Sequence, residues 1–137
     1  MISEADTLSR SLLRAPVLIV DDNDGVRDSL AEWLELEGFD VTTAANGGEA
    51  LGKLRQGLRP RLILLDLMMP VMNGWDFRSQ QMIDHDLRGI PVIILSAAGF
   101  RDGRIKAQFP GAEYIAKPVD ADALLTAIKR ACARETS

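Results

Sequence analysis

The sequence predicts an α/β fold: one domain built on a parallel sheet that helices cover on both faces. Five short apolar runs alternate with five longer amphipathic segments along the 137 residues. The apolar runs are hydrophobic at most positions, as strands are when helices cover both of their faces. The amphipathic segments are long enough to be crossover helices, which join parallel strands. A chain of this length forms one domain with a sizeable core.

The predicted strands are rich in β-branched and other apolar residues. They lie at 17–20, 39–44, 61–66, 91–96 and 112–116. The first of them, VLIV, is apolar throughout, as a strand covered on both faces should be. The second, FDVTTA, alternates apolar and polar residues, which indicates a strand with one less buried face.

The predicted helices carry apolar residues at helical spacing. They lie at 26–38, 47–57, 74–86, 99–109 and 120–133. In the first, Val26, Leu30 and Leu34 share one face, and Gly38 is placed to end the helix. The fourth has the weakest pattern, because Gly103 costs about 1 kcal/mol relative to alanine inside a helix.

We expect a domain over residues 16–134, an N-terminal appendage over 1–15 and a tail over 135–137. The first fifteen residues carry acids and no apolar core, so we do not expect them to be a signal peptide. No apolar run approaches the eighteen residues that a membrane span needs, so we expect no membrane insertion. The single cysteine, Cys132, fits a reducing compartment. We therefore expect a cytoplasmic protein.

The charge balance argues against direct binding of nucleic acid. Sixteen Lys and Arg against twenty Asp and Glu give a net charge of −4. The chain also lacks a basic tract or an alternation of basic and aromatic residues, the usual features of proteins that bind phosphate backbones.

Polar residues stand at the carboxyl ends of four predicted strands. Asp21 and Asp22 follow the first strand, Asp66 follows the third, Ser96 ends the fourth, and Lys117 follows the fifth. Taken singly, each has a structural explanation as a helix cap, a turn residue or a solvated charge. Ligands of open parallel sheets bind at the carboxyl ends of the strands. Because all five residues fall at that edge, we interpret them as one site.

Three carboxylates gathered at one edge repel each other and so indicate a bound cation. Oxygen ligands without a neighbouring histidine or cysteine suit Mg²⁺ or Mn²⁺ better than zinc. Lys117 adds a second positive charge, and Mg²⁺ with a lysine commonly holds a phosphoryl group. A carboxylate in such a site can act as the nucleophile and form an acyl phosphate.

Four segments in this order resemble the receiver domain of bacterial two-component response regulators, of the single-domain type found in chemotaxis. They are VLIVDDND, LILLDLMMPVMNGWDF, PVIILSA and YIAKP, and the resemblance covers residues 16–134. It implies a flavodoxin-like (βα)5 sandwich with five parallel strands in the order 2-1-3-4-5.

The resemblance implies a phosphoacceptor and a metal site. Asp66 would accept the phosphoryl group. Mg²⁺, or Mn²⁺ in its place, would be held by Asp21, Asp22, Asp66 and the backbone carbonyl of Met68.

It also implies a switch. Ser96 and Tyr114 would rearrange after phosphorylation, and Lys117 would contact the phosphoryl oxygens. A cis peptide is expected between Lys117 and Pro118, where proline makes the cis form accessible.

By this resemblance the chain is a signalling switch and not an enzyme acting on other substrates, although it would promote its own phosphorylation and dephosphorylation. The donor would be a histidine kinase or a histidine phosphotransfer protein. Phosphorylation would remodel the surface of the fourth helix, fifth strand and fifth helix to control a downstream protein. We expect a monomer or a weak homodimer.

Several alternatives stay open. The chain could be a phosphorelay carrier without its own output, or a receiver fragment of a larger regulator or hybrid kinase. A haloacid-dehalogenase-like phosphatase would need a second acid two residues after Asp66, where Met68 stands. A flavin carrier would need a first loop that accepts phosphate, whereas DDNDG repels it. A degenerate receiver would lack some of the five site residues, and all five are present.

Overall fold

A computed structural model describes residues 15–97 and 103–136, with side chains described as far as residue 133. The described chain contains one sheet of five parallel strands in the order β2-β1-β3-β4-β5, as predicted. The strands are β1 (Pro16–Val20), β2 (Asp40–Ala44), β3 (Leu62–Leu65), β4 (Val92–Ser96) and β5 (Glu113–Ala116). The predicted appendage, apart from Ala15, lies outside the described residues.

Five helices connect or follow these strands in the described chain. They are α1 (Asp24–Leu36), α2 (Gly47–Arg55), α3 (Gly74–Met82), α4 (Gly103–Gln108) and α5 (Ala121–Thr136). Asparagine side chains cap the first three: Asn23 accepts from the Val26 N–H at 3.0 Å, and Asn46 and Asn73 cap α2 and α3 in the same way. Gly38 ends α1 with φ = 99°, a conformation that glycine adopts without strain.

The core has two layers, one on each face of the sheet. Alternate residues of β1 and β3 point to opposite layers, as the strand pleat requires. One layer contains Leu34 of α1 and Ile128 of α5, and the other contains Leu51 of α2 and Phe77 of α3. Each buried side chain of this size contributes roughly 1.5–3 kcal/mol. The prediction of a sheet covered on both faces is confirmed.

Strand register places the ends of β1 and β3 side by side. Val20 is paired with Leu65, so that the next residues, Asp21 and Asp66, leave the sheet as neighbours. On the other side of β3, Ser96 is paired with Ala116, and the Lys117 N–H donates to the Ser96 carbonyl at 3.3 Å. The sheet therefore brings four strand ends to one edge.

One predicted helix boundary was wrong. The helix expected over 74–86 ends at Met82. Beyond it, the Asp84 carboxylate accepts from the Asp86 N–H at 2.9 Å, a local bond that competes with helix continuation. The Gln81 side chain donates to the carbonyls of Leu87 and Ile90, both at 3.0 Å, and so holds the following turns in place.

The other helix bounds differ by a few residues. α4 corresponds to the later part of the segment predicted over 99–109, and 99–102 lie outside the described residues. Among the described helices, none has the length and apolar character that crossing a membrane would require.

Candidate functional site

Three carboxylates meet where β1 and β3 end. Asp21, Asp22 and Asp66 each offer one oxygen, and these oxygens lie within 4.8 Å of one another. Asp21 and Asp66 are 1% and 6% exposed, whereas Asp22 is exposed. The cluster therefore has a buried floor and a rim that faces solvent. Its donors are all hard carboxylate oxygens, a set that fits Mg²⁺ or Mn²⁺.

Lys117 bridges the two buried carboxylates. Its Nζ lies 2.7 Å from Oδ2 of Asp21 and 3.3 Å from Oδ2 of Asp66. Burial by itself would lower the pKa of Lys117, but the hydrogen bond to Asp21 and the charges of Asp66 and Asp21 outweigh it and raise the pKa. The lysine is therefore a stable cation at neutral pH, as binding of a phosphoryl group requires.

Asp66 is more basic than an ordinary aspartate. Burial raises the pKa of its carboxyl above 3.8, and the nearby charge of Asp21 adds to the effect. The charge of Lys117 and the Met68 N–H, which donates to Oδ1 at 3.2 Å, lower the pKa of Asp66 but offset only part of this increase. A desolvated, more basic carboxylate is also a better nucleophile.

Asp21 is held in place by groups on the loop and first turn that follow it. The Asn23 N–H donates to Oδ1 of Asp21 at 2.9 Å, so both carboxylate oxygens are engaged. Arg27 donates from Nη1 to the Asp21 backbone carbonyl at 3.0 Å and binds Asp24 at 2.6 Å. Arg27 was not predicted, because a basic residue near the start of a helix carries no distinguishing signal.

The residues predicted to form the switch are in contact. Ser96 is fully buried at the end of β4, and the Tyr114 hydroxyl donates to its carbonyl at 3.2 Å. Burial raises the pKa of Tyr114, so the phenol stays protonated. The Lys117–Pro118 peptide is cis. The switching roles of Ser96 and Tyr114, and that of the Met68 carbonyl, stay predictions.

Gly74 has a packing role beside Asp66 that was not predicted from the sequence. A Cβ at this position would lie 2.7 Å from the Asp66 carbonyl oxygen and 2.8 Å from Cα of Leu67. The Gly74 N–H donates to the Leu67 carbonyl at 2.9 Å. Only glycine lets the first turn of α3 lie directly against the backbone of Asp66. An Asn-Gly pair in a sequence indicates a turn, but not which backbone lies against it.

A largely apolar cleft of about 610 Å³ opens beside the site. α1 contributes Val26 and Trp33, and the segment after β5 contributes Pro118 and Val119. Lys117 and Asn23 also line it. The cleft is therefore continuous with the charged edge of the sheet.

A model of the response regulator receiver domain family matches residues 17–129. The chain belongs to this family. The prediction made from the four ordered segments is therefore confirmed, and the carboxylate cluster of this receiver domain lies where such domains bind Mg²⁺.

Curated relatives of this receiver domain are response regulators. Protein PilH of Pseudomonas aeruginosa is 36% identical over 115 residues, which cover 83% of this chain and 94% of that protein. Response regulator Rre1 of Synechocystis sp. is 36% identical over 121 residues, which cover 87% of this chain and 52% of Rre1. The chain thus spans about half the length of Rre1 and of several other curated relatives.

Solved structures share the fold. A putative response regulator from Chloroflexus aurantiacus is 30% identical with a TM-score of 0.78, over 87% of this chain and 98% of that one. Chemotaxis protein CheY4 of Vibrio cholerae is 30% identical with a TM-score of 0.77, over 85% and 98%. These neighbours confirm the flavodoxin-like fold. Response regulators, the proteins that contain such domains, are signalling proteins.

Proposed function

We propose that this receiver domain is a phosphorylation-dependent switch in which Asp66 accepts a phosphoryl group from a phosphohistidine. The donor is a histidine kinase or a histidine phosphotransfer protein. The proposal rests on one observation above all: the Lys117 ammonium bridges Asp66 and Asp21 beside Asp22. The Asp66 carboxylate thus contacts a fixed cation and belongs to the cluster that would hold a divalent cation.

Asp21, Asp22, Asp66 and the backbone carbonyl of Met68 would hold Mg²⁺, with Mn²⁺ as a substitute. When bound, the ion offsets the negative charge that accumulates on phosphoryl oxygens during transfer. Asp22 supports this assignment because it is exposed and can meet an incoming ion, while Asp21 is already fixed by the Asn23 N–H.

In the transfer step, an Asp66 carboxylate oxygen attacks the phosphorus in line with the phosphorus–nitrogen bond of the donor. A phosphorus–oxygen bond forms and the phosphorus–nitrogen bond breaks, and its electron pair stays on the imidazole. The imidazole leaves as a neutral group because its other ring nitrogen carries a proton. Lys117 would exchange its longer contact, to Asp66, for a phosphoryl oxygen.

The acyl phosphate would then recruit the Ser96 hydroxyl as a hydrogen-bond donor. Because the Tyr114 hydroxyl binds the Ser96 carbonyl, a movement of Ser96 acts directly on Tyr114. The surface formed by α4, β5 and α5 would change and so control a downstream protein. Attack of water on the phosphorus returns Asp66 to a carboxylate, releases inorganic phosphate and resets the switch.

The cleft beside α1 is the surface on which we expect the phosphodonor to rest. Its apolar side chains adjoin Lys117, so a protein that brings a histidine to Asp66 would cover them. The cytoplasmic location and the monomeric or weakly dimeric state stay predictions.

Acetyl phosphate with Mg²⁺ tests the central assignment. Intact mass spectrometry should show one added phosphoryl group on the wild type and none on Asp66→Asn. Asp40→Asn is the matched control, because Asp40 is exposed at the start of β2, far along the strand from the site. Equal labelling of the wild type and Asp66→Asn would remove Asp66 as the acceptor.

A further inference from the structure

We propose that α4 is tied to the backbone of Asp66 through the first turn of α3, by a route separate from Ser96 and Tyr114. The residues of this tie, here called the α3–α4 latch, are Trp75, Arg78, Ser79, Gln108 and Phe109. The inference deepens the proposed function, because it concerns how phosphorylation of Asp66 would reach the output surface.

The amide of Gln108, the last residue of α4, makes the central contacts. Its Nε2 donates to the Trp75 carbonyl at 2.8 Å and to Oγ of Ser79 at 3.0 Å. The Ser79 hydroxyl itself donates to the same Trp75 carbonyl at 3.2 Å. A single side chain therefore binds the first and second turns of α3.

Arg78 of α3 also binds this end of α4, and here α3 supplies the donor and α4 the acceptor. This arginine is 8% exposed, and its Nε donates to the Gln108 carbonyl at 3.0 Å. Its guanidinium lies 4.9 Å from the centre of the Phe109 ring and also binds Gln81 at 2.9 Å. Within residues 15–97 and 103–133, no carboxylate forms an ion pair with Arg78. A buried cation in this position is satisfied by the end of α4 and the aromatic ring that follows it.

The Trp75 ring contacts both ends of α4. It lies 5.8 Å from the Phe109 ring, measured between centroids, and the Arg104 guanidinium lies 4.3 Å above it. The helix has only six residues, and Ile105 is its one buried member. Because so short a helix is not stable by itself, contacts with α3 must contribute much of what keeps it in place.

The first turn of α3 in turn lies on the backbone of Asp66. Gly74 packs against the Asp66 carbonyl, and its N–H donates to the Leu67 carbonyl. The residue after Gly74 is Trp75, whose carbonyl accepts from the Gln108 amide. A displacement of the Asp66 backbone would therefore move Gly74. The latch would transmit this displacement to α4. Ser96 and Tyr114 take part in none of these hydrogen bonds, although Tyr114 packs against the core layer that contains Trp75 and Phe109.

Hydrogen–deuterium exchange in three variants tests the latch. Gln108→Ala removes the amide, and Gln108→Glu keeps its size but loses the N–H donors. Gln80→Ala is the matched control, since Gln80 also lies on α3 but binds Arg55 of α2. Without ligand, exchange over 103–109 should rise about tenfold in both Gln108 variants, because two hydrogen bonds are lost, and should stay unchanged in the control. Unchanged exchange over 103–109 in both Gln108 variants would overturn the latch.

Beryllofluoride with Mg²⁺, used as the probe for the phosphorylated state, tests the route. In the wild type, exchange should change over 103–109 and over 113–117. In the Gln108 variants the change over 113–117 should persist, and that over 103–109 should be lost. An equal change over 103–109 in all proteins would refute the separate route. If fluorine NMR shows that the probe does not bind the wild type at all, the proposed function fails, and the ligand-free comparison still decides whether the latch holds α4.

Discussion

The ammonium nitrogen of Lys117 lies closer to Asp21 than to Asp66: 2.7 Å from one Oδ2 and 3.3 Å from the other. Asp21 is the most deeply buried carboxylate of the site, at 1% exposed. Lys117 is therefore the main counter-charge for the group that would also bind the divalent cation. The lysine and the cation should compete for Asp21, and this competition can be measured.

Replacement of Lys117 with alanine should destabilise the metal-free protein and increase its response to Mg²⁺. Without the lysine, Asp21 keeps its buried charge but loses its ion pair, which costs about 3 kcal/mol in the free energy of unfolding. Mg²⁺ should then raise the melting temperature of Lys117→Ala more than that of the wild type. Thermal melts in EDTA and in excess Mg²⁺ measure both effects. Lys129→Ala, at an exposed position of α5, is the control. An equal Mg²⁺ response in all three proteins would contradict competition.

Asp66→Asn should stabilise the metal-free protein at neutral pH. Burial raises the pKa of Asp66 above 3.8, so the folded state binds this proton more tightly than the unfolded state does. The contribution of Asp66 to stability is therefore complete below pH 3.8 and is lost as the pH rises through the raised pKa. Asparagine has no charge to bury, so its advantage should appear above that pKa and vanish towards acid pH. Melting temperatures of both proteins, measured in EDTA from acid to neutral pH, test this prediction. An Asp66→Asn variant less stable than the wild type at neutral pH would contradict it.

Gly74→Ala should destabilise the domain by roughly 2 kcal/mol, because the new methyl group would collide with the backbone of Asp66 and Leu67. Gly52 is the matched control. It lies inside α2 with nothing within 4 Å of the position that a methyl group would take, so Gly52→Ala should stabilise the helix by about 0.5–1 kcal/mol. Urea unfolding of both variants gives the two free energies. Effects of the same sign would show that the close approach at Gly74 is not a constraint.

Val71→Asn should make the protein more stable although no core contact changes. Val71 is 91% exposed and has φ = 67°, a conformation that a β-branched residue adopts only with strain. The Met72 N–H donates to the Pro70 carbonyl at 2.7 Å and closes this tight turn. Asparagine tolerates positive φ better, so we expect a gain of about 1 kcal/mol in urea unfolding. A loss of stability would mean that the turn is not strained.

Much of the fold was predictable because it depends on local patterns. The apolar runs and their spacing predicted five parallel strands with helices on both faces, and the strand ends predicted which polar side chains would meet. Asp21, Asp66, Ser96 and Lys117 do lie at one edge of the sheet. Their proposed roles come from the family and from their chemistry, and await the experiments above.

The parts that could not be predicted depend on contacts between distant residues. α3 ends at Met82, and Gln81 binds carbonyls on the turns that follow, which no helical periodicity reveals. Gln108 reaches the Trp75 carbonyl across 33 positions of sequence. The preference of Lys117 for Asp21 over Asp66 depends on differences of less than 1 Å, which only the packed structure determines.

The two tryptophans of the chain lie in different parts of the domain. Trp33 lines the cleft beside α1, and Trp75 lies under Arg104 and beside Phe109. With Trp33 replaced by phenylalanine, intrinsic fluorescence should report the position of α4, and with Trp75 replaced it should report occupation of the cleft. The molecule thus carries its own pair of optical probes, one for arrival of the phosphodonor and one for the response that follows.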